Sequence, residues 1–175
     1  MRGLFVGRFQ PFHMGHLATV REILARRSDP LVLGIGSAQE SFTWDNPFTA
    51  GERFEMIDRT LADEGITGAL PIPIADIHRH AQWVAYLESM LPPFHRVYTN
   101  NPLTRLLFER AGYAVESLPL ASRDRWEGAQ IRRLLAEGSL CDDRLPKAVV
   151  SYLTEIRASD RLRLLLPPSS PGAKA

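Results

Sequence analysis

The fold that the sequence predicts is a doubly wound parallel α/β sheet of Rossmann-like type, in a single domain. Three observations carry this. Short apolar runs suited to buried strands alternate with longer segments whose apolar residues recur at helical spacing. Proline, glycine and capping residues stand at the boundaries between them. The chain has 175 residues, 45% hydrophobic and 23% charged, which is one domain's worth with enough apolar mass for a sizeable core.

The elements follow in order. Arg2 to Phe9, with Leu4, Phe5 and Val6, predicts a first strand. A turn through His13 and His16 leads into a helix with Leu17, Val20 and Leu24 on one face, ending near Arg26 and Arg27 because Pro30 prevents continuation. Leu31 to Gly36 reads as a strand buried on both faces, as in a parallel sheet. Residues 37–48 form a polar and aromatic loop holding Phe42, Trp44, Asp45, Asn46 and Pro47. Thr49-Ala50-Gly51-Glu52 has capping-box spacing and starts a helix with Phe54, Ile57 and Leu61 inward, closed by Gly65. Residues 69–75 predict a third strand, which Pro71 and Pro73 force to an edge or make irregular.

Asp76 stands at the carboxyl end of that strand, where open α/β sheets bind ligands; a turn or N-cap aspartate is the plain alternative. A third helix runs from His80 to Leu91 with Trp83, Val84 and Leu87, stopped by Pro92-Pro93. Taken alone, Trp83 reads as core. Arg96 to Thr99 is a fourth strand, Pro102 opens a helix with Leu103, Leu106 and Leu107, Gly112 ends it, and Tyr113 to Leu118 is a fifth strand. A connection containing Arg123-Asp124-Arg125 precedes a helix of roughly ten residues with Ile131, Leu134 and Leu135 on one face and Gly138 as terminator. Arg132 and Arg133 lie near its start, the wrong sign for the helix dipole unless a bound phosphate is near; a solvated charge pair is the alternative. One last helix begins after Pro146 and uses Val149, Val150, Leu153 and Ile156. Residues 1–166 thus form the domain, and 167–175 are too poor in apolar residues to order themselves.

Bulk charge narrows the partners. Twenty-one basic against twenty acidic residues leave a net charge of +1, so no global field advertises nucleic acid or membrane. One cysteine excludes an internal disulfide, the N-terminus lacks a signal peptide's apolar core, and no apolar run approaches the roughly 20 residues that span a bilayer. A cytoplasmic protein is expected.

The stretch that carries chemistry is Gly7-Arg8-Phe9-Gln10-Pro11-Phe12-His13-Met14-Gly15-His16. A turn from a strand into a helix offers free N–H groups and the positive end of the dipole to an anion, and Gly15 keeps no side chain between phosphate and backbone. The three-residue spacing of His13 and His16 brings both imidazoles to one side if the helix has begun by Gly15. Either histidine alone would read as a surface or capping residue. A zinc site is the other option, but it needs a third protein ligand, and Cys141 lies far down the chain.

This stretch resembles the HxGH signature of the nucleotidyltransferase superfamily, and the longer string resembles the archaeal-type nicotinamide-mononucleotide adenylyltransferases. Further matches occur at Gly36-Ser37-Ala38-Gln39, Asn46 to Arg53, Asp76-Ile77, Trp83, Asn101-Pro102-Leu103, Arg123-Asp124-Arg125 and Arg132-Arg133. The resemblance implies a nucleotidyltransferase fold of HxGH type and the joining of ATP with nicotinamide mononucleotide to give NAD and pyrophosphate. It implies Gly7, Arg8, Phe9, His13, Gly15, His16 and Arg132 at ATP, with His13, His16, Arg8 and Arg132 catalytic. It implies Arg53, Asp76, Ile77, His80 and Trp83 at the mononucleotide, with the Trp83 ring stacked on nicotinamide. Mg²⁺ would accompany ATP, held mainly by substrate and water, and relatives of this type assemble into hexamers. The dinucleotide fingerprint G-x-G-x-x-G is absent after the first strand, so NAD would be product rather than hydride cofactor.

Two positions depart from the family pattern. The late motif usually carries two hydroxyl residues where this chain has Glu127 and Ala129, and His80 stands where archaeal members tend to have an asparagine that reads the pyridine amide. Two other readings therefore stand beside the first: nucleotidyl transfer to nicotinate mononucleotide or another small phosphate ester, and a catalytically weakened nucleotide-binding regulator.

Overall fold

A computed structural model describes residues 2–27, 29–118 and 126–167. Five strands form one all-parallel sheet: β1 (Gly3–Gly7), β2 (Leu31–Ile35), β3 (Ala69–Pro73), β4 (Arg96–Tyr98) and β5 (Ala114–Glu116), in the order β3-β2-β1-β4-β5. The helices between and after them are α1 (Met14–Arg26), α2 (Ala50–Asp63), α3 (His80–Met90), α4 (Pro102–Arg110), α5 (Gly128–Ala136), α6 (Lys147–Glu155) and α7 (Ala158–Leu165). None of the described helices is long and apolar enough to cross a membrane.

Alternation along the strands sorts the core into two layers, because successive side chains point to opposite faces. Leu4, Val32 and Val97 join Val84 and Leu87 of α3 and Phe108 of α4 on one face. Phe5, Leu31, Leu33, Ile35 and Tyr98 face the other way, onto α1, α2, α5, α6 and α7. Both faces are covered, as an all-parallel sheet requires. Pro71 and Pro73 sit on β3 at the sheet edge, where a missing N–H disrupts no ladder.

The order of strands reverses at β1, which sends the chain first to β2 and β3 and later to β4 and β5. In such sheets the crevice outside the carboxyl ends at the reversal receives the ligand. The sequence expectation of one closing helix is corrected. Arg157 adopts a left-handed conformation (φ 52°) and divides the segment into α6 and α7. Arg123-Asp124-Arg125 and residues 168–175, the latter within the predicted tail, lie outside the described residues.

Candidate active site

Two adjoining hollows open at the carboxyl ends of the strands, and Arg8 lines both. The first, about 300 Å³, is polar and bordered by Arg8, Phe9, Gln10, His13 and His16 from the β1–α1 turn, Asp45 from the following loop, and Glu127, Gly128, Ala129 and Arg132 from the start of α5. The second, about 350 Å³, is lined by Gly7 at the end of β1 and Arg8 after it, Gly36 and Ser37 after β2, Asp76 after β3, Arg79 at the cap of α3 with His80 and Trp83 in it, and Thr99, Asn101 and Leu103 beyond β4.

His13 is the N-cap of α1 and His16 its third residue, and the two close a reciprocal capping box. The His16 N–H donates to His13 Nδ1 at 3.3 Å, and the His13 N–H donates to His16 Nδ1 at 3.2 Å. Histidine replaces the usual hydroxyl and carboxylate partners of that motif. The rings stack with centroids 3.5 Å apart and planes 18° from parallel, and Phe9 and Phe12 pack around His16. Because Nδ1 accepts in each ring, the proton of each neutral imidazole is fixed on Nε2. Burial keeps both neutral: it lowers the His13 pKa to about 4, and it drives His16 well below the usual histidine value with help from its neighbour's charge. The turn thus presents two uncharged N–H donors beside a helix N-terminus.

Buried cross-ties hold this turn. Gln10, buried, donates its amide to the Phe48 carbonyl and accepts from the Phe48 N–H, both at 3.0 Å. A Cβ on Gly15 would stand 3.0 Å from the Trp126 ring and 3.1 Å from His13 Nδ1, so this glycine makes room for the segment leading into α5. Phe9 takes a left-handed φ of 51°, a conformation a bulky residue adopts only where its surroundings fix it.

Arg53, expected at the mononucleotide, sits apart from most of the other residues that the resemblance names. It lines neither hollow. It is fully buried beneath them and donates to the carbonyls of Arg8 (2.9 Å), Gly36 (2.7 Å), Ser37 (3.1 Å) and Thr49 (3.2 Å), tying together the loops after β1 and β2. Its fork-shaped donor set matches four converging carbonyls. Burial, with the nearby charge of Arg8, lowers its pKa to about 10, still cationic at neutral pH. Gly15 and Ile77 likewise line neither hollow. Gly7, Arg8, Asp76, His80 and Trp83 line the larger one, and Arg8, Phe9, His13, His16 and Arg132 the polar one.

Asp76 makes the local turn of the plain alternative and also borders the cleft. Its Oδ1 accepts from the His78 N–H at 2.9 Å. Gln39 grips its main chain, accepting from the Asp76 N–H at 2.8 Å. Trp83 is half-buried, one edge against Phe108 with centroids 5.5 Å apart and the remainder toward the cleft. Arg132 is buried at 4% exposure, donating Nη1 to the Gln10 carbonyl (3.1 Å) and Nη2 to Asp45 Oδ1 (3.3 Å). Glu127 caps α5 in position only, since its side chain makes no capping hydrogen bond.

Gln10, Gln39 and Asp45 fall within stretches that the sequence marks, but nothing in the sequence gives them a role. Their partners lie far away in the chain, and no local spacing announces such ties.

This arrangement agrees with the relatives of the chain. Residues 4–134 match the cytidylyltransferase-like family model. A nicotinamide-nucleotide adenylyltransferase of Thermoplasma volcanium is 46% identical over 164 residues, covering 94% of this chain and 92% of its own. One of Archaeoglobus fulgidus is 47% identical over 169 residues, covering 93% and 96%. The chain belongs to the cytidylyltransferase-like family, among the nicotinamide-nucleotide adenylyltransferases.

The fold recurs in a bifunctional NMN adenylyltransferase/ADP ribose pyrophosphatase of Francisella tularensis, with a TM-score of 0.76 at 18% identity over 94% of this chain. This chain spans about half (52%) of that bifunctional protein. A second structure of the Francisella protein, at a TM-score of 0.75, is complexed with AMP and a Mn ion.

Proposed function

We propose that the protein joins ATP to nicotinamide mononucleotide, giving NAD and pyrophosphate. The observation that carries this is the adjacency of a polar, phosphate-sized hollow at two helix N-termini with a larger cleft walled by Trp83 and Asp76. The identity of about 46% to adenylyltransferases of that specificity supports the choice of substrates.

The mononucleotide's 5′-phosphate oxygen attacks the α-phosphorus of ATP in line. A new P–O bond forms as the bond to the bridging oxygen breaks, and pyrophosphate departs with that oxygen. The attacking phosphate is already ionised at pH 7, so the reaction asks for alignment and charge stabilisation rather than a base. His13 and His16 donate Nε2–H to the α-phosphate oxygens beside the N-terminus of α1. Fixed, uncharged donors need no reorganisation as charge gathers there. Arg8 and Arg132 neutralise the triphosphate and the leaving pyrophosphate, and Trp83 stacks on the pyridine ring.

Among the described residues no group of three or more His, Cys, Asp or Glu could hold a metal by itself. Asp45 and Glu127 alone among the hollow's lining residues carry carboxylates, too few for a protein cage, so a Mg²⁺ ion would be held by phosphate oxygens and water. When bound, Mg²⁺ supplies further charge neutralisation to the phosphates.

A homo-oligomer, a hexamer by resemblance, in the cytoplasm completes the reading, and light scattering of the purified protein tests the assembly. The function itself is tested by incubating protein, Mg²⁺ and ATP with nicotinamide mononucleotide, with nicotinate mononucleotide and with neither. Pyrophosphate release with the first acceptor exceeding the second is expected. Preference for the second would reassign the acceptor, and release with neither would leave a nucleotide-binding regulator.

A further inference from the structure

The environment of Arg132 is unusual for a buried cation. Its guanidinium has three donor groups, of which Nη1 is held by the Gln10 carbonyl at 3.1 Å. Nη2 reaches only Asp45 Oδ1, at 3.3 Å in a single hydrogen bond, and Nε is sealed from solvent without a partner among the described residues. The Asp45 side chain is 72% exposed against 5% for Arg132, so the pair joins a buried cation to a carboxylate on the rim. Trp44 covers the guanidinium from the side, with the guanidinium carbon 5.7 Å from the ring centroid.

Nε and Nη2 form one edge of the planar fork, the edge that grips a two-oxygen anion bidentately. A carboxylate that meets one of these donors and leaves the other empty is a poor occupant of it. The partner is also weak in principle, because an ion pair with one exposed member is held loosely in water. A phosphate, with more charge and more acceptor oxygens, fills both donors. Arg132 borders the polar hollow that Arg8, His13 and His16 also line.

We propose that Asp45 is a placeholder counter-ion: in the free protein it occupies the Nε–Nη2 edge of Arg132, and a substrate phosphate binds there by displacing it. This rests on the reading of the hollow as a triphosphate site. Asp45 is then a positioning residue that keeps a buried charge compensated between turnovers and competes with ATP for it.

Asp45→Asn removes the competing charge while keeping the shape and one acceptor. Two measurements on the full chain test it: calorimetric titration with ATP, with Mg²⁺ and again with a chelator, and the melting temperature of each protein without and with saturating ATP. Asp45→Asn should bind ATP about fivefold more tightly in both conditions, the size expected from releasing one half-exposed pair. It should also melt below wild type when free and together with wild type when saturated, since the lost compensation matters only in the empty site. Equal or weaker binding by Asp45→Asn would overturn the inference. A loss seen only with Mg²⁺ would overturn it too, making Asp45 a metal ligand instead. A wild-type protein that binds no ATP would remove both the triphosphate reading and this inference.

Discussion

Two helix N-termini face the polar hollow, and they are finished in opposite ways. At α1 the cap is closed by its own residues: His13 and His16 satisfy each other's backbone N–H groups, their rings stack with the Nε2–H of each left to donate, and Gln10 and Arg53 bind the flanking loops from below. At α5 the cap residue Glu127 makes no capping bond, and the Trp126 Nε1 and Arg132 Nε atoms are buried without partners among the described residues. A buried unpaired polar group costs about 1–3 kcal/mol. One end therefore aims donors that its own residues hold in place, and the other keeps buried donors that no described residue satisfies.

The largest expected effect comes from breaking the preorganised end. His16→Ala removes a donor aimed at charge in the transition state and should lower turnover by roughly 100-fold or more, with a smaller change in ATP affinity. The same change opens one half of the capping box, so melting should fall by a few degrees, an effect of about 1 kcal/mol. Turnover within a few-fold of wild type would reduce the α1 end to a structural cap.

Sharpening the unfinished end should help rather than harm. Ala129 lies in the first turn of α5 and lines the hollow, so Ala129→Thr adds a hydroxyl where phosphate is expected, improving ATP affinity or turnover by about tenfold. Glu127→Ser acts in the same direction by removing a carboxylate and supplying a side-chain cap of about 1 kcal/mol. The two need not add, because they address one anion. If both variants leave ATP binding unchanged or weaken it, the contrast between the two ends has no bearing on the triphosphate.

A smaller effect lies outside both ends. Trp83→Ala should raise the Michaelis constant for the mononucleotide by about fivefold, the loss of a contact of roughly 1 kcal/mol, and leave that for ATP nearly unchanged. Some melting temperature should go with it, because the ring also meets Phe108. Equal increases in both constants would make Trp83 a packing residue only.

The contrast also explains what could be read from the chain. His13 and His16 are three residues apart on a helix start, so their pairing is a local matter that spacing reveals. The strand and helix pattern was legible for the same reason, down to the edge placement of the strand bearing Pro71 and Pro73. Gln10 meets Phe48 at a separation of 38 residues, Arg53 meets Arg8 at 45, and Arg132 meets Asp45 at 87. No periodicity encodes such contacts; they exist only once β1, β2 and α5 are brought to one end of the sheet. The resemblance implies substrate contact for Arg53, and only the fold shows the four carbonyls it donates to. The break at Arg157 went unread because a left-handed residue other than glycine leaves no compositional mark.

The central claim is that His13 and His16 work as neutral donors with their protons on Nε2, and nitrogen-15 NMR of the imidazoles across pH tests it most directly. The His13 pKa is lowered from 6.5 to about 4, so between those values the unfolded chain binds a proton that the folded protein refuses. Stability is therefore highest above pH 6.5 and declines as pH falls toward 4, by about 3 kcal/mol from this residue alone. At pH 7 both rings should show a protonated Nε2 and a bare Nδ1, His13 should titrate at about 4 and His16 well below the usual histidine value, and acid unfolding should set in as they charge. Titration near pH 6.5, or protons resident on Nδ1, would contradict the capping geometry and the role of both histidines together.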